Sequence, residues 1–141
     1  MKYEELKNRK VLITGGTQGI GGAMAEAFAS EGAAVVINGR VLNEKVQKVL
    51  DRTGAKASMG SIQDPAVAGE VVKRAAEING GLEVLICNAA GMSMGPYLES
   101  VPEEWWPQMQ INLSGHIACI KAAVPIMERA GGGTVILISS F

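Results

Sequence analysis

The turn Thr14-Gly15-Gly16-Thr17-Gln18-Gly19-Ile20-Gly21 lies between a short apolar run and a helical one, the context in which a glycine-rich loop binds phosphate. In this reading Gly15 permits the sharp turn, Gly19 lets backbone approach a phosphate, and Gly21 allows a helix to pack close against a strand. A helix starting here offers an anion its free N–H groups and the positive end of its dipole. No Gly-Lys-Ser/Thr follows, so a Walker-type phosphate loop is excluded. The ligand implied is a dinucleotide, contacted by Gly15, Thr17, Gln18, Gly19, Ile20 and Gly21. The next apolar run ends in Gly39-Arg40, where an acidic side chain would hydrogen-bond a ribose 2′-OH and select NAD. Arg40 can instead pair with a 2′-phosphate through charge-assisted hydrogen bonds, whereas a carboxylate would repel it. NADP(H) is therefore favoured over NAD(H).

Further along, Asn112 falls inside a predicted helix, where a polar group needs a partner. His116, the sole histidine, follows four residues later on the same helical face. Without a metal partner or a carboxylate at ligand spacing it reads as structural. Ser139 and Ser140 stand at the end of the last apolar run. Cys87 and Cys119 sit in apolar stretches without metal-ligand spacing and read as reduced core residues. No metal site is expected.

The elements that position these residues follow from apolar runs and their punctuation. Residues 10–14 and 34–38 read as strands, the second apolar on both faces as a buried parallel strand should be. Residues 22–29 read as the intervening helix, closed by Gly32. Asn43 caps a helix through Asp51 that ends at Gly54, and residues 55–59 form a weaker third strand. Asp64-Pro65 opens the next helix, with the carboxylate as N-cap and proline in the first turn, and Gly80-Gly81 stops it. Residues 82–87 make a fourth strand, followed at once by Asn88-Ala89-Ala90-Gly91. The spacing Ser100-Val101-Pro102-Glu103 predicts a capping box opening a long helix to about Ala130. Gly131-Gly132-Gly133 ends that helix, and residues 134–140 form a fifth strand before Phe141. Strands alternating with helices predict an α/β fold, a Rossmann-type doubly wound parallel sheet. Val135–Ile138 has apolar residues for both faces, which suits a strand flanked by neighbours better than a bare edge.

Composition narrows the class. The chain has 141 residues, 48% of them hydrophobic, a formal charge of −1 and 18 glycines. That is one domain, 1–141, able to bury roughly 68–70% of its unfolded surface. Six aromatic residues and no basic excess leave nucleic-acid binding without support. The N-terminus lacks the apolar core of a signal peptide and no segment approaches the ~20 apolar residues of a membrane span, so a cytoplasmic protein without membrane contact is expected.

The order Thr-Gly-x-x-x-Gly-x-Gly at residues 14–21, Asn88-Ala89-Ala90-Gly91 after the fourth strand, Asn112 in Ile111-Asn112-Leu113, and Ile138-Ser139-Ser140 resembles the short-chain dehydrogenase/reductase family over the whole chain. The resemblance implies hydride transfer between a nicotinamide and a small-molecule carbonyl or alcohol. It implies Ser140, with Ser139 as the alternative, as the serine that binds the substrate oxygen, and Asn112 as the asparagine supporting a proton relay. Asn88, Ala89, Ala90 and Gly91 would line the cofactor site. Where the family usually carries an aspartate against adenine, Ser61 stands here, followed by Ile62. The family's Tyr-x-x-x-Lys is expected about a dozen residues past Ser140, beyond Phe141. Tyr3 and Lys7 have that spacing but precede the first strand. By the same resemblance, five of seven strands are present, the complete protein is an enzyme, and 1–141 alone has little or no turnover. The helix carrying Trp105, Trp106 and Met109 commonly builds a dimer interface, so a homodimer or homotetramer is implied. A non-catalytic dinucleotide-binding module is the alternative.

Overall fold

The computed structural model describes residues 2–140. Five strands, β1 (Lys10–Thr14), β2 (Ala34–Asn38), β3 (Lys56–Ala57), β4 (Val84–Cys87) and β5 (Thr134–Leu137), form one sheet in the order β3-β2-β1-β4-β5. Every pairing is parallel, with Leu12 opposite Val36 on one side and Leu85 on the other. Helices α1 (Gly19–Ser30), α2 (Glu44–Thr53) and α3 (Pro65–Asn79) connect the first four strands. A continuous helical stretch then runs through α4 (Pro102–Met109), a π-helical segment (Gln110–Gly115) and α5 (His116–Arg129).

Successive residues of a strand face opposite sides, so the apolar runs fill two cores. Val11, Ile13, Val35 and Ile37 pack with Ala25 of α1 and with Val46 and Val49 of α2. Leu12, Val36 and Leu85 pack on the other side with Val72 and Ala75 of α3 and with Cys119 and Ala123 of α5. This two-sided burial is the Rossmann-type arrangement the sequence predicts. Chain order reverses between β1 and β4, leaving a crevice at the C-terminal ends of those strands.

The caps that end the middle helices are those expected. Asn43 Oδ1 accepts from the N–H groups of Lys45 and Val46, and Asp64 Oδ1 accepts from that of Ala66 at 2.8 Å. Both helices stop at left-handed glycines, Gly54 and Gly80.

Several boundaries differ from the sequence reading; α1 begins at Gly19 rather than residue 22 and α2 runs to Thr53. The third strand shrinks to two residues; the Ser58 N–H still donates to the Ile37 carbonyl of β2 at 2.9 Å, while the Ser58 hydroxyl donates to the Val71 carbonyl of α3 at 2.8 Å. The fourth and fifth strands pair over Val84–Cys87 and Thr134–Leu137 only, so Ser139 and Ser140 lie beyond the ladder. The long helix starts one residue later than the capping-box spacing suggests. Ser100 donates its hydroxyl to the Tyr97 carbonyl, and Glu104 accepts from the Val101 N–H at 3.3 Å. Finally, that helix contains a π segment, where Gly115 passes so near the Ile62 carbonyl that a Cβ would overlap it. Strand β5 stands at the sheet edge with Val135, Ile136 and Leu137 exposed rather than flanked.

Candidate functional site

The crevice beside β1 and β4 opens into a cleft of about 670 Å³ running from the end of β2 to the segment after β4. Its floor is the turn between β1 and α1. Gly21 meets Gly15 so closely that a Cβ on Gly21 would overlap the Gly15 carbonyl oxygen, which is how α1 comes to start against the strand ends. Gly19 is the opposite case: φ is +53° and nothing lies within 4 Å of where its Cβ would point. Backbone there is open to a ligand.

Helix α1 begins without a side-chain cap, unlike α2 and α3 with Asn43 and Asp64, and has no acidic residue in its first turn. Its leading N–H groups and positive dipole end are left for an anion. This suits a phosphate, and the space at Gly19 suits its approach.

The β4 side of the cleft is held to β1 by side chains. Thr14 is fully buried, and its Oγ1 accepts from the N–H groups of Asn88 at 2.9 Å and Ala89 at 3.1 Å. Asn88 Nδ2 donates to the Thr14 and Gly15 carbonyls at 3.1 and 3.2 Å. The Asn88-Ala89-Ala90-Gly91 segment and the glycine turn are thus one hydrogen-bonded unit.

At the β2 end, Asn38 Nδ2 donates to the Ser58 and Gly60 carbonyls at 2.9 and 3.0 Å, tying β2 to the segment that carries Ser61. A Cβ on Gly39 would come within 2.5 Å of Thr17 Cγ2, so an acidic side chain there would have to displace Thr17. Arg40 is exposed at the cleft and, among the described residues, has no hydrogen bond or ion pair. A dinucleotide phosphate would find these groups available.

Gly15, Thr17, Gln18, Gly19, Ile20, Gly21, Arg40, Ser61, Asn88, Ala89, Ala90 and Gly91 all line the cleft. Ile62 does not, because its side chain is 4% exposed and packed in the core below. Asn38 was not singled out by its type; the signal was a polar residue closing an apolar strand. Met92, read from the sequence as part of a partly apolar wall, also lines the cleft.

Asn112 lies in the π segment and is paired at both ends of its amide. Oδ1 accepts from the Gly91 N–H at 2.8 Å and Nδ2 donates to the Gly91 carbonyl at 2.9 Å. The partner expected for a polar helix residue is therefore the cleft segment itself. His116, one turn on, is 8% exposed, with Nε2 lacking a partner and the Ala89 carbonyl facing the ring. Burial holds its pKa below the ordinary value despite that carbonyl, so the ring is neutral at pH 7. Ser140 follows β5 at the same, C-terminal, end of the sheet. Burial pushes the Cys87 and Cys119 thiols up to about 11 and about 12, which makes them core residues rather than nucleophiles. Among the described residues no cluster of His, Cys, Asp and Glu could hold a metal, and no helix is long and apolar enough to cross a membrane.

Comparison with known proteins agrees with this geometry. The chain is 34% identical over 147 residues to dehydrogenase/reductase SDR family member 4 of Pongo abelii, covering 99% of this chain and 52% of that one. It is 35% identical to an uncharacterized oxidoreductase of Thermotoga maritima, over 96% of this chain and 54% of that one. A solved structure assigned as a short-chain alcohol dehydrogenase, from Sinorhizobium meliloti 1021, superposes with a TM-score of 0.86 at 31% identity, over 95% of this chain and 55% of that one. The chain thus spans about half the length of the curated relatives it matches. The family model for short chain dehydrogenases matches residues 9–141, and with the glycine turn, the Asn88–Gly91 segment and the parallel sheet in their places, the chain belongs to the short-chain dehydrogenase family of oxidoreductases.

Proposed function

We propose that this chain is the NADP(H)-binding part of an oxidoreductase that transfers hydride between nicotinamide and a small carbonyl or alcohol substrate. The observation that carries the reading is the pairing of an uncapped α1 N-terminus with an unpaired Arg40 across one cleft. The N–H groups at Gly19–Gly21 hold the pyrophosphate, and Arg40 takes the 2′-phosphate in charge-assisted hydrogen bonds. A dinucleotide held along the cleft would have its adenosine end near Arg40 and Ser61 and its reacting end past Ala90 and Gly91. The bound cofactor supplies the hydride.

The chain's own residues position and hold. Thr14 and Asn88 lock the wall against which the nicotinamide end rests, and Asn112 fixes Gly91 beside it. Ser140 hydrogen-bonds the substrate oxygen, and Asn112 supports the proton path to it. By the family resemblance, turnover would also need a tyrosine and a lysine of the Tyr-x-x-x-Lys type. The exposed apolar residues Trp106, Met109, Leu113 and Ile117 on α4, the π segment and α5 form the face for a homodimer or homotetramer in the cytoplasm.

Fluorescence titration with NADPH and NADH tests the reading, using wild type and Arg40→Glu. A charge-assisted hydrogen bond contributes about 1.5–3 kcal/mol, so the substitution should weaken NADPH at least roughly 10- to 150-fold and leave NADH binding unchanged or tighter. Tighter binding of NADH by the wild type would refute the assignment of Arg40.

A further inference from the structure

The cofactor cleft does not end at Gly91; Met92 also lines it, and the chain continues as the loop Ser93-Met94-Gly95-Pro96. Such a loop would ordinarily wander. Here it is tied to α4 by one side chain. Gln108 Oε1 accepts from the Ser93 N–H at 2.8 Å, and Gln108 Nε2 donates to the Ser93 hydroxyl at 2.7 Å and to the Glu104 carbonyl at 2.9 Å.

Gln108 stands four residues before Asn112 and repeats its action one turn earlier. Asn112 grips the backbone of Gly91, and Gln108 grips that of Ser93. The two amides thus fix the course of the chain on either side of Met92. What they hold out is apolar: Met92, which lines the cleft, is 80% exposed, while Met94 turns to the neighbouring hollow with Pro96, Tyr97 and Trp105. A thioether side chain adapts its shape to irregular apolar surfaces.

We propose that Gln108 is a positioning residue for the substrate side of the site, clamping Ser93 so that Met92 forms an apolar wall beside the reacting end of the cleft. The wall takes the non-reacting part of a hydrophobic ketone or alcohol. This rests on the dinucleotide reading, because the direction from Arg40 to Gly91 defines which end reacts.

The test compares wild type, Gln108→Leu and Ser93→Ala, in the whole protein as expressed from its own gene. Three measurements are made: hydrogen exchange at residue 93, NADPH titration, and reduction of acetophenone against dihydroxyacetone. Wild type should prefer acetophenone. Gln108→Leu should free the Ser93 amide to exchange at least several-fold faster and leave NADPH affinity within about twofold. It should raise the KM for acetophenone roughly three- to tenfold, the effect of about one net hydrogen bond, with kcat little changed. Ser93→Ala, which loses only the hydroxyl contact, should move KM the same way by less. A protected Ser93 amide in Gln108→Leu, or an unchanged KM once it is free, overturns the clamp. Preference for dihydroxyacetone, or turnover of neither ketone, with NADPH binding intact overturns the apolar wall and leaves the cofactor reading standing. A wild type that binds no NADPH refutes both.

Discussion

Gly19 and Gly21 lie two residues apart in the same turn, yet adding one methyl group to each should do different things. A Cβ on Gly21 would overlap the Gly15 carbonyl oxygen and sit 2.6 Å from Asn88 Nδ2, and both neighbours are tied to backbone. Relieving the overlap means moving α1 off the strand ends and stretching the Asn88 hydrogen bonds. Overpacking costs about 1–3 kcal/mol and each weakened bond about 1 kcal/mol, partly offset by the roughly 1 kcal/mol gained when alanine replaces a helical glycine. The net is about 3 kcal/mol. With an unfolding entropy of roughly 2.1 cal/mol/K per residue, that lowers Tm by about 10 °C in a chain of 141 residues. Gly19→Ala meets no atom within 4 Å and costs only the left-handed backbone, about 1–2 kcal/mol or some 5 °C. Its methyl group, however, stands in the path of the phosphate. NADPH should weaken at least tenfold, although less stability is lost. Thermal melting by circular dichroism and NADPH fluorescence titration, run on both variants, read the two effects separately. If Gly19→Ala binds NADPH like the wild type, or melts as low as Gly21→Ala, the division of labour within the turn is wrong.

Asn112→Ala should free the Gly91 amide to exchange while lowering stability by only about 1 kcal/mol, because the pair it removes is exposed to solvent; amide hydrogen exchange at Gly91 and urea melts measure both. Burial lowers the His116 pKa below its ordinary 6.5, so the unfolded chain takes up the proton first. The contribution of His116 is therefore complete above about pH 6.5 and is lost as pH falls through the folded value, and the drop in Tm between pH 7.5 and 5.5 should flatten in His116→Gln. Cys87 and Cys119, with thiols pushed up to about 11 and about 12, should resist iodoacetamide at pH 8 in the folded protein and react together once urea unfolds it.

The apolar runs alone determined the parallel sheet, since residues such as Val11, Leu12 and Ile13 fill both of its faces and only two-sided burial accommodates them. The helix caps Asn43 and Asp64 were equally legible, because capping depends on a side chain and the N–H groups two or three residues away. The glycine turn could be read for the same reason of locality. Local spacing also predicted a cap at Ser100 and a regular helix through Asn112; the helix is continuous, but it begins at Pro102 and takes π geometry at Gln110–Gly115, which the tertiary structure decided. The close passage of Gly115 by Ile62 joins the π segment to a residue far away in sequence. Ile62, adjacent to Ser61 in sequence, went to the core while Ser61 went to the cleft. Which groups Thr14, Asn88, Gln108 and Asn112 hold could not be read from their types. Each bonds a backbone segment that only the folded sheet and its packed helix bring within 3.2 Å. Sequence thus determined the elements and the phosphate turn, whose physics is local; the fold decided how the cleft's walls are fastened, because those contacts join residues distant along the chain.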